Sequence, residues 1–342
     1  MININDLPGY DDAAPLLAVD NLCVTFESFE GEVAAVDGVS FTVNPGETLC
    51  IVGESGSGKS ASQMAILGLL STPPAIISGS VRFCGIELVH APQSTLFTVR
   101  GSGVSMIFQD AITSLNPSLK VGFQIAEVFC ARTGSDRASG RKYAIELMER
   151  VAIPDASQRV DDYPFQFSGG MCQRIMIAMA LALNPKILIA DEPTTALDVT
   201  VQRQVMELLK SLSKNADLAL VLITHDLGVA AEQADKVMVM YAGRTVETGL
   251  TDAVFAKPYH PYTQALLSSM PDVTNNFNRL GIINGSPPVL TKLPEGCSFR
   301  PRCQFAAPMC RLNRPQLFVS GPSRASACLR VNDIFKKKSS NV

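Results

Sequence analysis

The chain has 342 residues, 46% of them hydrophobic and 18% charged, with a formal net charge of −3. That length and apolar content supply a large core and more than one folded unit, while the near-neutral charge without a long basic block argues against a nucleic-acid surface. No apolar run approaches the roughly 20 residues that span a bilayer; the densest, Ile175 to Leu183, stops at Asn184-Pro185, and the acidic stretch Met1 to Leu17 lacks the positive start of a secretion signal.

Residues 1–15, with Asp6, Pro8, Gly9, Asp11 and Asp12, read as a flexible lead-in. Leu16 to Phe26 and Val33 to Val43 carry the β-branched and aromatic residues of strands, and Glu47 to Val52 reads as a buried strand. Gly53-Glu54-Ser55-Gly56-Ser57-Gly58-Lys59-Ser60 follows it, and Ala61 to Leu70 has helical character. Gly79 to Phe83 suggests another strand, and Val104 to Phe108 is a short apolar run ending at Gln109, before a Ser/Asn/Pro-rich turn from Thr113 to Ser118. Helical periodicity runs from Val121 to about Val151, with breaks expected at Gly134-Ser135 and Ser139-Gly140. Ser168-Gly169-Gly170 precedes an apolar helix, Met171 to Leu183. Buried strands are expected at Ile187 to Ala190 and Leu218 to Ile223, with an amphipathic helix from about Val199 to Lys214 between them. Val237 to Tyr241 and Arg244 to Glu247 form a hairpin through Ala242-Gly243. Beyond Pro258 the prolines at 261, 271, 287, 288, 294, 301 and 308 mark an irregular extension, and Lys336-Lys337-Lys338 reads as a solvated tail. The alternation implies an α/β fold, with a mostly parallel sheet covered by helices.

The stretch 53–60 fits G-x-x-x-x-G-K-[ST], and it lies between a strand and a helix, the context that turns such a pattern into a phosphate-binding loop. Glycines 53, 56 and 58 let successive N–H groups point inward as an anion cradle at a helix N-terminus. Lys59 can reach the β- and γ-phosphates and the Ser60 hydroxyl can ligate Mg²⁺. The competing reading, a glycine-rich turn with no ligand, fits the flanking elements poorly. Ile187 to Ala190 then ends in Asp191 and Glu192. In a phosphate-loop enzyme the first belongs beside Mg²⁺ and the second can polarise an attacking water; the alternative is a solvated acidic turn. Four further fragments keep a fixed order: Gln109 after a strand, Phe167-Ser168-Gly169-Gly170-Met171 before a helix, Ala196-Leu197-Asp198 after the carboxylates, and His225 ending a strand.

That order resembles the ATP-binding cassette of ABC transporters over about residues 16–250. The resemblance implies a P-loop ATPase core with an antiparallel β subdomain and a helical signature subdomain at about 110–183. It makes 53–60 the Walker A loop and Asp191-Glu192 the end of Walker B. Gln109 becomes the Q-loop glutamine, touching Mg²⁺ with Ser60 and Asp191 and facing the membrane subunit. Ser168, Gly169, Gly170 and Met171 become the signature, which serves ATP on a second cassette; Asp198 becomes the D-loop aspartate and His225 the switch histidine. Phe26 stands where an aromatic often stacks on adenine, although a lone Phe at a strand end is as readily core. Met171 replaces a usual Gln and Ala111 a common Pro; neither removes a ligand. Lys59, Glu192 and His225 are the expected hydrolytic groups, with ATP and Mg²⁺ as cofactors.

Phe108-Gln-Asp, Thr-Ser-Leu-Asn-Pro117, His260-Pro-Tyr-Thr263 and Gly-Cys-Ser-Phe-Arg-Pro-Arg-Cys303 narrow the likeness to oligopeptide, dipeptide and nickel importers, nearest to the first of the two ATPase subunits of oligopeptide importers. The organisation then reads as a lead-in (1–15), a cassette (16–258) and a C-terminal extension (259–342). Implied partners are a second cassette subunit on a different chain, two permease subunits and, indirectly, a peptide-binding protein. The implied place is peripheral, on the cytoplasmic face of the inner membrane. A rival reading, a soluble ABC ATPase acting on ribosomes or DNA, lacks a second Gly-x-x-x-x-Gly-Lys and sustained heptads.

Nine cysteines in a chain without a secretion signal imply a reducing compartment. Cys23, Cys50, Cys84, Cys130 and Cys172 sit among apolar residues and read as small buried hydrophobes. Cys297, Cys303, Cys310 and Cys328 have the spacing C-x₅-C-x₆-C-x₁₇-C. Zinc usually takes knuckles with two to four intervening residues, whereas wide spacings suit four thiolates around a cuboidal cluster. Members of the resembling family carry a [4Fe–4S] cluster in this extension, which places that reading first, ahead of Zn²⁺ and free thiols. Arg300, Arg302 and Arg311 are the expected counter-charges.

Overall fold

A computed structural model describes residues 4–28, 31–195, 197–215, 217–270, 283–321 and 323–334. Ala196, Pro271 and the basic tail Lys336-Lys337-Lys338 lie outside the described residues. In chain order the elements are β1 (Leu17–Ser28), β2 (Gly31–Val43), β3 (Thr48–Val52), α1 (Lys59–Ile66), β4 (Ala75–Phe83), β5 (Ile86–Glu87), α2 (Gln93–Val99), β6 (Val104–Ile107), α3 (Ala111–Ser114), α4 (Val121–Thr133), α5 (Arg137–Arg150) and α6 (Ala156–Arg159). They continue with α7 (Gly169–Leu181), β7 (Ile187–Asp191), α8 (Val199–Asn215), β8 (Ala219–Thr224), α9 (Leu227–Gln233), β9 (Lys236–Tyr241), β10 (Arg244–Leu250), α10 (Thr251–Ala256), α11 (Pro261–Ser268), α12 (Met309–Leu312), β11 (Phe318–Gly321) and β12 (Arg324–Ser326). Among the described residues no helix is long and apolar enough to cross a membrane.

The chain divides into two units, the first comprising residues 1–18, 42–48 and 81–223 and the second residues 19–41, 49–80 and 224–342. In the first, β6, β7 and β8 are parallel neighbours, with Val104 opposite Ile187 and Ile187 opposite Ala219. All five residues of β7 are buried, as a parallel strand covered on both faces requires. Two features of the helical region depart from the sequence reading. Gly140 does not break a helix but lies inside α5, where a Cβ would stand 2.4 Å from the Cys130 sulfur and 3.2 Å from the Ala126 Cβ; the glycine is there for close packing against α4. The start of the turn expected from Thr113 to Ser118 instead belongs to a single helical turn, Ala111–Ser114, because Asp110 caps it, accepting from the backbone N–H of Ile112 at 2.9 Å and Thr113 at 3.3 Å.

In the second unit β1 lies between β2 and β4 in one sheet. A second sheet pairs β3 parallel to β9, with Leu49 opposite Lys236 and Val52 opposite Val239. β9 and β10 form the expected hairpin, and φ of +48° at Ala242 and +80° at Gly243 gives the turn twist that suits the strands. Within the proline-rich extension, β12 adds to β10 antiparallel through Glu247–Ser326 and Gly249–Arg324, and β11 pairs β12. Backbone hydrogen bonds thus tie the proline-rich extension to the edge of a sheet.

Candidate nucleotide site

β3 is buried along its whole length and delivers the chain to Gly53. The loop 53–58 then turns into α1, whose first residue is Lys59 and whose cap, Gly58, has φ of +97°. A Cβ at Gly58 would stand 2.2 Å from the Ala35 carbonyl oxygen, so both the dihedral and the space demand glycine. Lys59 is 6% exposed, and its ammonium donates to the carbonyls of Gly53 at 2.8 Å and Glu54 at 3.0 Å. A cation folded into its own loop, at a helix N-terminus, is built for an anion. Ser57 is buried, while Ser55, Gly56 and Ser60 are exposed. Phe26, near the end of β1, is half-buried, and His225 is exposed immediately after β8.

In the other unit the edge of β7 carries the carboxylates. Asp191 is 6% exposed at the end of the strand. Glu192 follows it in the left-handed region, φ +45°, a conformation that an L-residue keeps only when its surroundings hold it there. Its amide donates to the Ile223 carbonyl at 2.9 Å. Its carboxylate accepts from the Gln109 side-chain amide at 3.0 Å and from the Thr195 hydroxyl at 3.0 Å. The structure thereby joins Gln109 and Glu192, 83 residues apart, and adds Thr195, which the sequence reading missed. The signal was a hydroxyl three residues after the carboxylate.

Ser168 caps α7, which begins two residues earlier than expected, by accepting from the Met171 amide at 3.4 Å. A Cβ at Gly170 would come within 2.4 Å of Val201, so this glycine packs against α8. Asp198 caps α8 through the amides of Thr200 and Val201, both at 3.0 Å. The Met171 sulfur accepts from Arg159 at 3.4 Å, and the Arg159 guanidinium stacks 4.1 Å above the Phe167 ring. Arg159 is a second residue that the motifs did not reveal, because nothing in its own neighbourhood marks it.

A model of the ABC transporter family matches residues 36–195, and one of the oligopeptide/dipeptide transporter C-terminal region matches residues 246–310. The chain is 49% identical over 315 residues to the oligopeptide transport ATP-binding protein of Salmonella typhimurium, spanning 92% of this chain and 93% of that protein. The chain belongs to the ATP-binding subunits of oligopeptide/dipeptide ABC transporters. It is also 48% identical over 313 residues to the dipeptide transport ATP-binding protein of Escherichia coli, covering 92% of this chain and 96% of that one. Among solved structures it is similar to a dimeric ATP-binding cassette in a post-hydrolysis state with ADP and phosphate, at a TM-score of 0.62 and 28% identity, over 69% of this chain and 98% of that chain.

The extension of this transporter ATPase gathers its cysteines only partly. Cys297, Cys303, Cys310 and Cys328 all line one pocket, with Phe299, Phe305 and Ile334. The Cys297 amide donates to the Cys310 carbonyl at 2.8 Å, an approach that Gly296 permits: a Cβ there would lie 2.3 Å from the same oxygen. Burial pushes the Cys297 thiol up, that of Cys303 to about 11 and that of Cys328 to about 12, with the neighbouring thiols adding to each rise. Among the described residues, however, no three His, Cys, Asp or Glu side chains are grouped closely enough to hold a metal. The expected counter-charges also differ. Arg300 lines the pocket and is joined there by Arg330, but Arg311 pairs with exposed Glu295 at 3.6 Å and Arg302 turns to Glu54.

Proposed function

We propose that the chain is the ATP-hydrolysing subunit that powers import of oligopeptides or dipeptides through a membrane permease. The observation that carries this reading is near-50% identity along 92% of the chain to an oligopeptide transport ATP-binding protein, with the phosphate loop and the Asp191-Glu192 pair both present. In this reading the chain works with a second cassette subunit, two permease subunits and a peptide-binding protein, peripherally on the cytoplasmic face of the membrane. The loop 53–60, through its amides from Ser55 onward and through Lys59, binds the phosphates of ATP, and Phe26 flanks the adenine. The Ser60 hydroxyl, the Gln109 amide oxygen and the Asp191 carboxylate would hold Mg²⁺; they are hard oxygen donors, the kind this ion takes, and the Gln109–Glu192 hydrogen bond occupies the amide nitrogen, leaving its oxygen to ligate. Bound there, the ion supplies charge neutralisation at the phosphates. Glu192, held by Gln109 and Thr195, orients or deprotonates the attacking water. His225 contacts the γ-phosphate. Ser168, Gly169, Gly170 and Met171 present a helix N-terminus to the ATP of the partner cassette, and Asp198 lies at the same contact. Lys59→Ala tests the reading in the assembled transporter. It is expected to abolish ATP binding and peptide uptake together, and unchanged ATP affinity would remove the loop from the site.

We further propose that Cys297, Cys303, Cys310 and Cys328 hold a [4Fe–4S] cluster, with Zn²⁺ as the competing occupant. The donor chemistry supports it, since four cysteines line one pocket of the extension, although their side chains are not drawn together closely enough to hold a metal as they stand. Its role is to staple a segment too rich in proline and glycine to fold by burial. Protein purified without oxygen is expected to contain about four irons and four sulfides per chain. Stoichiometric zinc without iron in that preparation would leave zinc as the occupant.

A further inference from the structure

Glu54, the second residue of the phosphate loop, is held at all three of its polar groups. Its carbonyl accepts from the Lys59 ammonium at 3.0 Å. Its amide donates to the Tyr262 hydroxyl at 2.9 Å, which takes that N–H out of any anion cradle and fixes the entry to the loop. Its carboxylate receives both terminal nitrogens of Arg302, at 2.6 and 2.9 Å, in the bidentate geometry that makes a carboxylate–guanidinium pair both strong and directional. Lys59 belongs to the loop itself. Tyr262 and Arg302 lie 208 and 248 residues further along the chain, in the extension.

The arginine is not a surface residue that happens to reach an acid. Its side chain is 5% exposed and that of Glu54 24%. A third nitrogen, Nε, donates to the Asn284 carbonyl at 3.0 Å, and Nη1 also reaches the Tyr241 hydroxyl at 3.4 Å. Tyr241, Tyr262 and Phe299 form a three-ring cluster with centroids 4.6, 5.2 and 5.3 Å apart, against which the guanidinium lies. The hydrogen bonds of Glu54 hold the Arg302 charge firmly, raising its pKa above the usual arginine range. Tyr262 is in turn positioned by His260, whose Nδ1 accepts from the Tyr262 amide at 3.1 Å at the start of α11. The strut therefore has a rigid base.

We propose that Arg302 is a positioning residue for ATP binding: with Tyr262 it fixes Glu54, so that the extension holds the phosphate loop in its binding shape from outside the cassette. The inference rests on reading residues 53–60 as the ATP loop. A loop fixed before ATP arrives costs less ordering on binding, so losing the strut weakens ATP affinity while leaving the hydrolytic groups in place. Because Arg302 precedes Cys303, a group bound by the cysteines would bear directly on this strut.

The test uses the assembled transporter and measures kcat and KM for ATP with melting temperature. Arg302→Ala and Glu54→Ala are each expected to raise KM about tenfold, the scale of a lost charge-assisted pair, with kcat at saturating ATP within about threefold of wild type. The double variant is expected to be no worse than either single, because both remove the same contact, and Arg302→Lys is expected to fall between Ala and wild type. If Arg302→Ala does not fold, Glu54→Gln, which leaves the extension intact, supplies the same readout. A KM within twofold of wild type in these variants would overturn the proposal, as would effects of the two alanines that simply add. Failure of the underlying reading looks different: wild-type protein, or Lys59→Ala, would then show that ATP affinity does not depend on residues 53–60 at all.

Discussion

Replacing Arg324 with alanine should unfold the edge where the extension joins the sheet. Arg324 and Glu247 are 7% and 0% exposed, and their nearest atoms are 2.7 Å apart. The carboxylate also accepts from the amides of Tyr259 at 2.8 Å and His260 at 2.9 Å, so this one side chain gathers β10, β12 and the entry to α11. Arg324 in addition donates to the Ala253 carbonyl at 2.8 Å and stacks 3.6 Å above the Tyr259 ring. Removing it leaves a fully buried carboxylate with two amide donors and no cation, a change that costs about 3–5 kcal/mol. At about 2–4 °C per kcal/mol for a unit of this size, the melting temperature falls by roughly 10 °C. Scanning calorimetry or urea titration of the purified chain reads the shift. Arg324→Met combined with Glu247→Gln is expected to cost much less than Arg324→Ala alone, because no lone buried charge remains. A loss below about 1 kcal/mol for Arg324→Ala would show that the pair is solvated, and would refute the reasoning.

Two other outcomes follow from named contacts. Glu192→Gln is expected to lower ATP turnover of the assembled transporter by about 100-fold or more while ATP affinity is kept; phosphate release within about threefold of wild type would remove Glu192 from the water-activating role. His260 is buried in the second unit, and its pKa falls from 6.5 to about 3, so the fold holds it neutral while the unfolded chain protonates below 6.5. Its contribution is fully present above pH 6.5 and is lost as the pH falls from there towards about 3. Stability at pH 5 should accordingly drop by about 2 kcal/mol relative to neutral pH. His260→Asn keeps a cap for α11 and should flatten the curve between pH 7 and 5; an unchanged slope in urea titrations would assign the acid sensitivity elsewhere.

What was legible in the sequence was what repeats locally. β3, β7 and β8 are continuous apolar runs because parallel strands bury both faces, and the phosphate loop and carboxylates are read from spacing alone. The misplaced details share a cause. Gly140 reads as a helix breaker because propensity is local, whereas its reason is the Cys130 sulfur on another helix. Asp110 turned an apparent coil into a helical turn through two backbone amides. Arg159 carries no motif, and Tyr262 stands in His260-Pro-Tyr-Thr263 with nothing there to tie it to Glu54; each matters through a partner that only the fold brings near. Arg302 is the sharpest case. Next to Cys303 and between other arginines, its charge reads naturally as a counter-ion for thiolates, and sequence distance gives no reason to connect it with residue 54. The fold supplies a different solution: a guanidinium whose side chain is only 5% exposed needs a carboxylate in bidentate reach, and Glu54 provides it at 2.6 Å. Burial turns the neighbourhood of the cysteines from a charged surface into a base for the loop. A pairing enforced by burial across 248 residues is the kind of information that spacing cannot hold.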